Sequence, residues 1–245
     1  MVFNIRIHCH HIIACICGYS VQSTGGDDDK PYYISKIAGK GTGDLKVNVP
    51  ALEATFDRII CMVQSTNGDI FASSLHHVVL KFEFDKEEGT WSNVTIIAGT
   101  GTSGKGDDGV LGTESALNNP MGLSLIENSN GDVTAILIGE WSNHRIRKLN
   151  MSTRIITTIA GIGTSGFSGD GGLAKDAALR NPRHVYYDKS NSDIYITDQM
   201  NLRIRRVRGG NISTVVGKYC TGSDVLGDDG PATSACLQNP THFRI

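Results

Sequence analysis

The chain has 245 residues, 39% of them hydrophobic and 20% charged, with a formal net charge of −2. That length supports one domain with a sizeable core, and that apolar content argues against a disordered chain. The near-neutral balance gives no general attraction to nucleic acid, and no apolar run is long enough to cross a bilayer as a helix.

In chain order, residues 1–39 read as strands two to four of an incomplete four-stranded unit. Cys9-His10-His11-Ile12-Ile13 lines up with Leu75-His76-His77-Val78-Val79, and Tyr32–Gly39 lines up with the closing strand of the later units. The short apolar run Ile12–Cys17 also has the form of a weak signal peptide, but the repeat alignment accounts for it better. Thr24–Lys30 is then an exposed loop. His8, Cys9, His10, His11, Cys15 and Cys17 are dense in metal-ligating types. Strand alternation sends neighbours to opposite faces, against the tetrahedral convergence that zinc requires.

From residue 40 the chain repeats with a period of roughly 60 residues, longer than the forty-odd of a WD-type blade. One set of anchors is Ile37-Ala38-Gly39, Ile97-Ala98-Gly99, Ile159-Ala160-Gly161 and Val215-Val216-Gly217. A second is Asn119-Pro120, Asn181-Pro182 and Asn239-Pro240. A third is the acidic glycine turn of Gly106–Gly109, Gly169–Gly172 and Gly227–Gly230. A fourth is Asn143-His144-Arg145-Ile146-Arg147 and Asn201-Leu202-Arg203-Ile204-Arg205. The units are residues 40–99, 100–161 and 162–217, followed by 218–245 as a connection and one innermost strand. Each unit holds four short Val-, Ile-, Leu- or Thr-rich runs bounded by Gly, Asn, Ser and Asp; in the second these are 121–127, 133–139, 145–150 and 155–160. Four strands per unit, repeated, predict an all-β fold of propeller blades in a single domain, 1–245: three complete blades and one split between the termini. The glycine count of 29 suits so turn-dense a chain. The first unit departs from the pattern, with Asp44–Val49 for the acidic turn, Ala54-Thr55 for Asn-Pro, and Leu75-His76-His77-Val78 for the Arg-Ile-Arg strand.

Several residues have types that carry chemistry elsewhere. Residues 99–104 and 161–166 satisfy G-x-G-x-x-G, but no long helix follows either, so a dinucleotide site and its cofactor are not expected. Asp107-Asp108, Asp170 and Asp228-Asp229 offer too few oxygens per turn for calcium, and Asp-Gly favours the turn itself. Glu140 and Asp198 each precede an arginine by one short turn. Across a hairpin they are expected to pair as Glu140–Arg145 and Asp198–Arg203, because a charge between packed blades needs a partner. Arg203, Arg205, Arg206 and Arg208 form the chain's basic cluster and are candidate binding residues, with Asp108, Asp170 and Asp229 on the acidic turns. His184 and His242 each lie two residues past an Asn-Pro, where they are weak metal candidates; Met121-Gly122 and Asp57 stand there in the other units. Cys220 and Cys236 could bridge in an oxidising compartment. Asn93-Val94-Thr95, Asn150-Met151-Ser152 and Asn211-Ile212-Ser213 are glycosylation sequons, of consequence only in a secreted protein.

The string from IAGxGTSG through GDGG and Asn-Pro to NxRIRK resembles NHL-repeat propellers, in the long-connection form of extracellular and microbial NHL arrays. The resemblance covers roughly residues 37–245 and implies a TolB-like, commonly six-bladed ring, of which this chain supplies about four blades. The expected function is a non-enzymatic scaffold presenting blade-connecting loops to a protein or carbohydrate partner. Two alternatives follow from the same resemblance: an RNA-binding propeller, although one basic cluster makes nucleic acid the weaker partner, and a metal-dependent lyase or lactonase. No cofactor, and no membrane segment within these residues, is expected. Finally, the chain ends on an orphan first strand and begins at a second one. Thr241–Ile245 is therefore expected to pair with Phe3–Cys9 and close a four-bladed ring, with an open arc of a larger ring as the alternative.

Overall fold

A computed structural model describes residues 19–22, 33–36, 44–56, 58–220 and 229–243. Strands β1 (Tyr19–Gln22) and β2 (Tyr33–Lys36) form an antiparallel pair within the expected partial blade. Its second strand, and the pairing of Phe3–Cys9 with the chain end, lie outside the described residues.

Three blades follow. The first has strands β3 (Val49–Pro50), β4 (Ile59–Gln64), β5 (Ile70–Ser74), β6 (Val78–Asp85) and β7 (Thr90–Ala98), in the spatial order β3-β7-β6-β5-β4. The second has β8 (Val110–Leu111), β9 (Pro120–Glu127), β10 (Val133–Glu140), β11 (Arg145–Asn150) and β12 (Ile155–Ala160), in the order β8-β12-β11-β10-β9. The third is the meander β13 (Pro182–Asp188), β14 (Asp193–Asp198), β15 (Arg203–Arg208) and β16 (Asn211–Val216). The four runs expected in the second unit match β9 to β12 to within one residue at each end.

The connection between blades explains the extra length of the repeat. After β7 the chain runs along the outer edge of the second blade. There β8 pairs with β12, and a single 3-10 turn at Gly112–Glu114 then leads the chain inward to β9. The 3-10 turns Ala51–Glu53, Ala174–Asp176 and Ala232–Ser234 repeat the device. The connections leading into the three described blades therefore cover part of each blade's outer edge, which would otherwise present unpaired backbone groups.

The core lies between blades, so the strands read as nearly continuous apolar runs rather than alternating ones. Ile136 and Ile138 of β10 face the first blade and join Phe71, Val79, Ile97 and Ala98. Leu137, between them, points the other way and joins Val185, Ile196 and Val207 of the third. Consecutive residues on opposite faces each meet a different neighbouring sheet, and each such fully buried side chain contributes about 1.5–3 kcal/mol.

The register corrects two alignments. Ile59 pairs with Ser74 as Pro120 pairs with Glu140 and Pro182 with Asp198, so Arg58-Ile59, and not Ala54-Thr55, stands where the later blades have Asn-Pro. By the same register Cys61 is the counterpart of His184, since it pairs with Ser73 as His184 does with Thr197. Asp57, the residue expected there, lies outside the described residues. Without a conserved dipeptide to fix it, the first unit's inner strand is displaced in a motif alignment by the length of one turn.

Candidate binding face

Each connection of the later blades is clasped by one buried polar cluster. In the second blade the Glu140 carboxylate is fully buried at the end of β10. It accepts from Arg145 Nε at 2.6 Å, from Arg147 Nη1 at 3.2 Å, from Asn143 Nδ2 at 2.7 Å and from the Asn118 backbone N–H at 3.1 Å. The two arginines, spaced i and i+2 on β11, share one face and reach outward to the connection. Arg145 donates to the Gly106 carbonyl, and Arg147 donates to the Asp107 carbonyl and pairs with Asp108 at 2.9 Å. Asn143 Nδ2 also donates to the Gly104 carbonyl. Glu140 and Asp108 thus balance two guanidiniums, of which Arg147 is wholly buried. Burial pulls the Arg147 guanidinium below its ordinary value, with Arg145 adding to the effect and the carboxylates opposing it.

The third blade repeats the cluster with one substitution of consequence. Asn201 bonds Asp198 and the Gly166 carbonyl, the Arg180 N–H donates to Asp198, and Arg205 reaches the Ser168 and Ala178 carbonyls and Asp170 at 2.8 Å. The expected pair Asp198–Arg203 is not formed. Asp198 is one methylene shorter than Glu140 and meets Arg205 instead, at 3.5 Å. Arg203, left out, donates to the Asn201 carbonyl and lies over the Phe167 ring, 3.9 Å from its centroid. Burial raises the Asp198 carboxyl to about 6, partly offset by the Asn201, Arg180 and Arg205 contacts.

In the first blade every member of the cluster is replaced at once. Ser74 holds the position of Glu140, and Val78 and Leu80 those of the two arginines. All three are fully buried, and Val47 of the connection packs against the same core. An incomplete version would strand a buried charge, so apolar and ionic forms exchange as a unit.

No family model matches the chain. NHL repeat-containing protein 2 of Bos taurus is 25% identical over 150 residues, which are 61% of this chain and 19% of that protein; the Homo sapiens protein gives the same figures. The chain thus spans about a fifth of the length of these curated relatives. Among solved structures, an auxiliary nutrient binding protein from Bacteroides ovatus ATCC 8483 is similar with a TM-score of 0.56 at 22% identity, over 67% of this chain and 39% of that one. Its namesake from Bacteroides thetaiotaomicron VPI-5482 gives 0.55 at 21%, over 68% and 39%. The blades are similar to those of NHL repeat-containing proteins. At these identities the structural likeness is one of fold.

The blades place the other candidate residues as follows. Arg205 is wholly buried in the clasp, so it is not offered to a partner. Arg206 and Arg208 both pair with buried Asp193, at 3.8 and 2.6 Å, and the Arg208 hydrogen bond holds the Asp193 carboxyl below its ordinary value. The basic cluster is therefore largely neutralised from within, and alternation along β15 splits it between faces. Asp108 and Asp170 are committed to Arg147 and Arg205. Asp229 is not their counterpart. It has φ +63 and sits where Gly109 and Gly171 take positive φ; Asp228, which would match Asp108, lies outside the described residues.

Neighbouring blades are strapped together by a device the sequence reading missed. His77 and His144 adopt the left-handed conformation in the turn between second and third strands. Each accepts, through Nδ1, the backbone N–H of the Asn in the next blade's Asn-Pro: Asn119 at 3.2 Å and Asn181 at 3.1 Å. Burial lowers both imidazole pKa values, with His76 and Arg180 respectively adding to it. In the third blade Leu202 takes this position, and Gln199 bonds the Asn239 side chain instead.

His184 of β13 and His242, which follows the last Asn-Pro outside any strand, come together with ring centroids 3.9 Å apart, and Phe243 lies edge-on to His184, Tyr186 and Tyr195. Among the described residues no group of three or more metal-ligating side chains converges. A cleft of about 190 Å³ between the first and second blades, lined by Ser65, Asn67, Asp69, Lys81 and Asp132, is smaller than the 300–1,000 Å³ usual for a small-molecule site.

The end of the blades from which the connections depart is different in character. Ile162 (47% exposed), Phe167 (44%), Met200 (43%) and Tyr219 (62%) all lie in its loops. One face of Phe167 is covered by Arg203, with the Arg205 guanidinium 5.0 Å from the ring centroid. Cys220, beside Tyr219, is joined to Cys236, which ties the third connection to its own 3-10 turn. Ile162 and Phe167 thus lie exposed on the connection that the third blade's buried cluster bonds, and Tyr219 lies beside the disulfide.

Proposed function

We propose that the chain is a non-enzymatic binding scaffold whose connection-bearing end docks a protein partner. The observation that carries this is the exposed set Ile162, Phe167, Met200 and Tyr219: the first two on the connection that Arg205 holds, Met200 beside Asn201 of the same cluster, and Tyr219 beside the Cys220–Cys236 disulfide. Exposed apolar groups on a preorganised surface lower the ordering cost of association and supply its hydrophobic core. A carbohydrate partner would use the open aromatic faces of the same end. The RNA reading loses support because its cations are spent on Asp193, Asp170 and Asp198, and the lyase reading lacks a third metal ligand among the described residues.

The test is capture from the native extract with the whole chain and with a variant carrying Ile162→Ser, Phe167→Ser and Met200→Ser. The proposal expects a partner retained by the parent and lost by the variant at unchanged melting temperature. Equal retention by both, or retention that falls steeply with salt and with ribonuclease, would overturn it.

A further inference from the structure

Two sequon asparagines occupy the same place in the fold. Asn93 lies on β7 and Asn211 on β16, each the same distance upstream of the closing glycine of its blade, Gly99 and Gly217. Both are exposed. Both lie on the blade's outer strand, well down it from the connection-bearing end. Each faces an exposed apolar residue of the overlying connection: Asn93 pairs with Pro50, and Asn211 bridges to Leu173, which is 49% exposed. The second blade has Ile155 here, opposite Leu111, and no sequon. There the residue opposite the connection is apolar, although Leu111 is itself 40% exposed; in the other two blades it is a polar asparagine. The third sequon is of another kind. Asn150 is half-buried, and its Oδ1 holds the 150–153 turn by accepting from the Ser152 and Thr153 backbone N–H groups and the Ser152 hydroxyl.

The disulfide between Cys220 and Cys236 is an independent observation about compartment. Such a bond persists where the surroundings are oxidising, which in eukaryotic cells is also where asparagine-linked glycans are added.

We propose that Asn93 and Asn211 are N-glycosylated. In each case the new bond joins the side-chain amide nitrogen to a sugar anomeric carbon, displacing the phosphate of an activated glycosyl donor. The sugars sit over Pro50 and Leu173 on the outer edge, where they block edge-to-edge association of blades and leave the connection-bearing end open. This inference stands apart from the choice of partner.

The test is peptide mapping of the full chain isolated from its native cells, without reduction, before and after peptide N-glycosidase in heavy-oxygen water. The expected result is isotope-labelled conversion to aspartate at positions 93 and 211 and a peptide pair linked through Cys220 and Cys236. Asn93→Gln with Asn211→Gln should abolish the mass lost on deglycosylation. Unmodified peptides at both positions, labelling at Asn150 in their stead, or Cys220 and Cys236 recovered as thiols would overturn the proposal.

Discussion

Removing one carboxylate from the buried clasp tests the reading of the blades most sharply. In Glu140→Ala, Arg145 and Arg147 lose the group that lies 2.6 and 3.2 Å away, and the Asn143 amide and Asn118 N–H lose an acceptor. Arg147 cannot turn to solvent, since its side chain is wholly buried. Breaking a buried pair from one side costs about 3–5 kcal/mol. For a chain of this size that is a fall in melting temperature of about 6–20 °C. The first blade supplies the control. A variant with Glu140→Ser, Arg145→Val, Arg147→Leu and Asp108→Val copies its residues Ser74, Val78, Leu80 and Val47, and leaves no charge stranded. It should recover most of the loss despite carrying four changes, as wholesale replacement of buried ion clusters by apolar residues often does. Urea and thermal melts of both variants provide the assay. A quadruple variant less stable than the single one would refute the claim that the cluster acts as a unit.

Other consequences follow from the same geometry. Gly161→Ala should destabilise by several kcal/mol, because φ is +94° and a Cβ would collide with the His144 carbonyl oxygen. Gly171→Ala, with φ +87° but open space around it, should cost only the roughly 1–2 kcal/mol of a left-handed residue; equal melts for the two would remove the argument. Because the pKa values of His77 and His144 are lowered from 6.5 in the fold, stability should decline as pH falls below that value, and His144→Gln should flatten the slope. Asp198 acts with the opposite sign. Its carboxyl is raised from 3.8 to about 6, so the parent loses stability between those values as pH rises, and Asp198→Asn should gain on it across that window only. Cys236→Ser opens a loop with a sequence separation of 16 and should cost about 3 kcal/mol, measured as a urea midpoint shift under oxidising conditions.

Blade architecture was legible because its signals are local and recur. The Ile-Ala-Gly and Asn-Pro anchors mark strand ends, and positive-φ glycines such as Gly99 and Gly161 close a turn on a neighbouring carbonyl that leaves no room for a Cβ. The pair Glu140–Arg145 could be read from its hairpin spacing. The partner of Asp198 could not, since one methylene decides between Arg203 and Arg205, and sequence spacing does not measure reach. The clasp itself had a visible signal: Asn-x-Arg-x-Arg places both arginines on one strand face. What hid it was the first blade, where Val78 and Leu80 break the motif while preserving the fold. Asp229 was misplaced because Gly227–Gly230 reads like Gly106–Gly109, although the stretch from Gly106 to Asn119 is one residue longer than those from Gly169 to Asn181 and from Gly227 to Asn239, so that Asp229 stands at the position of the turn glycine. The histidine straps left no pattern, because Asn119 and Asn181 contribute a backbone N–H that any residue could supply.

The central claim is that the connection-bearing end is the working surface. Its most direct measurement is amide hydrogen exchange on the whole chain, with and without the partner captured from the native extract. Protection is predicted in residues 161–167, 199–203 and 217–220, with the outer strands around Asn93 and Asn211 unchanged. Protection confined to the inner strands around His184, or to the outer edge, would contradict the account.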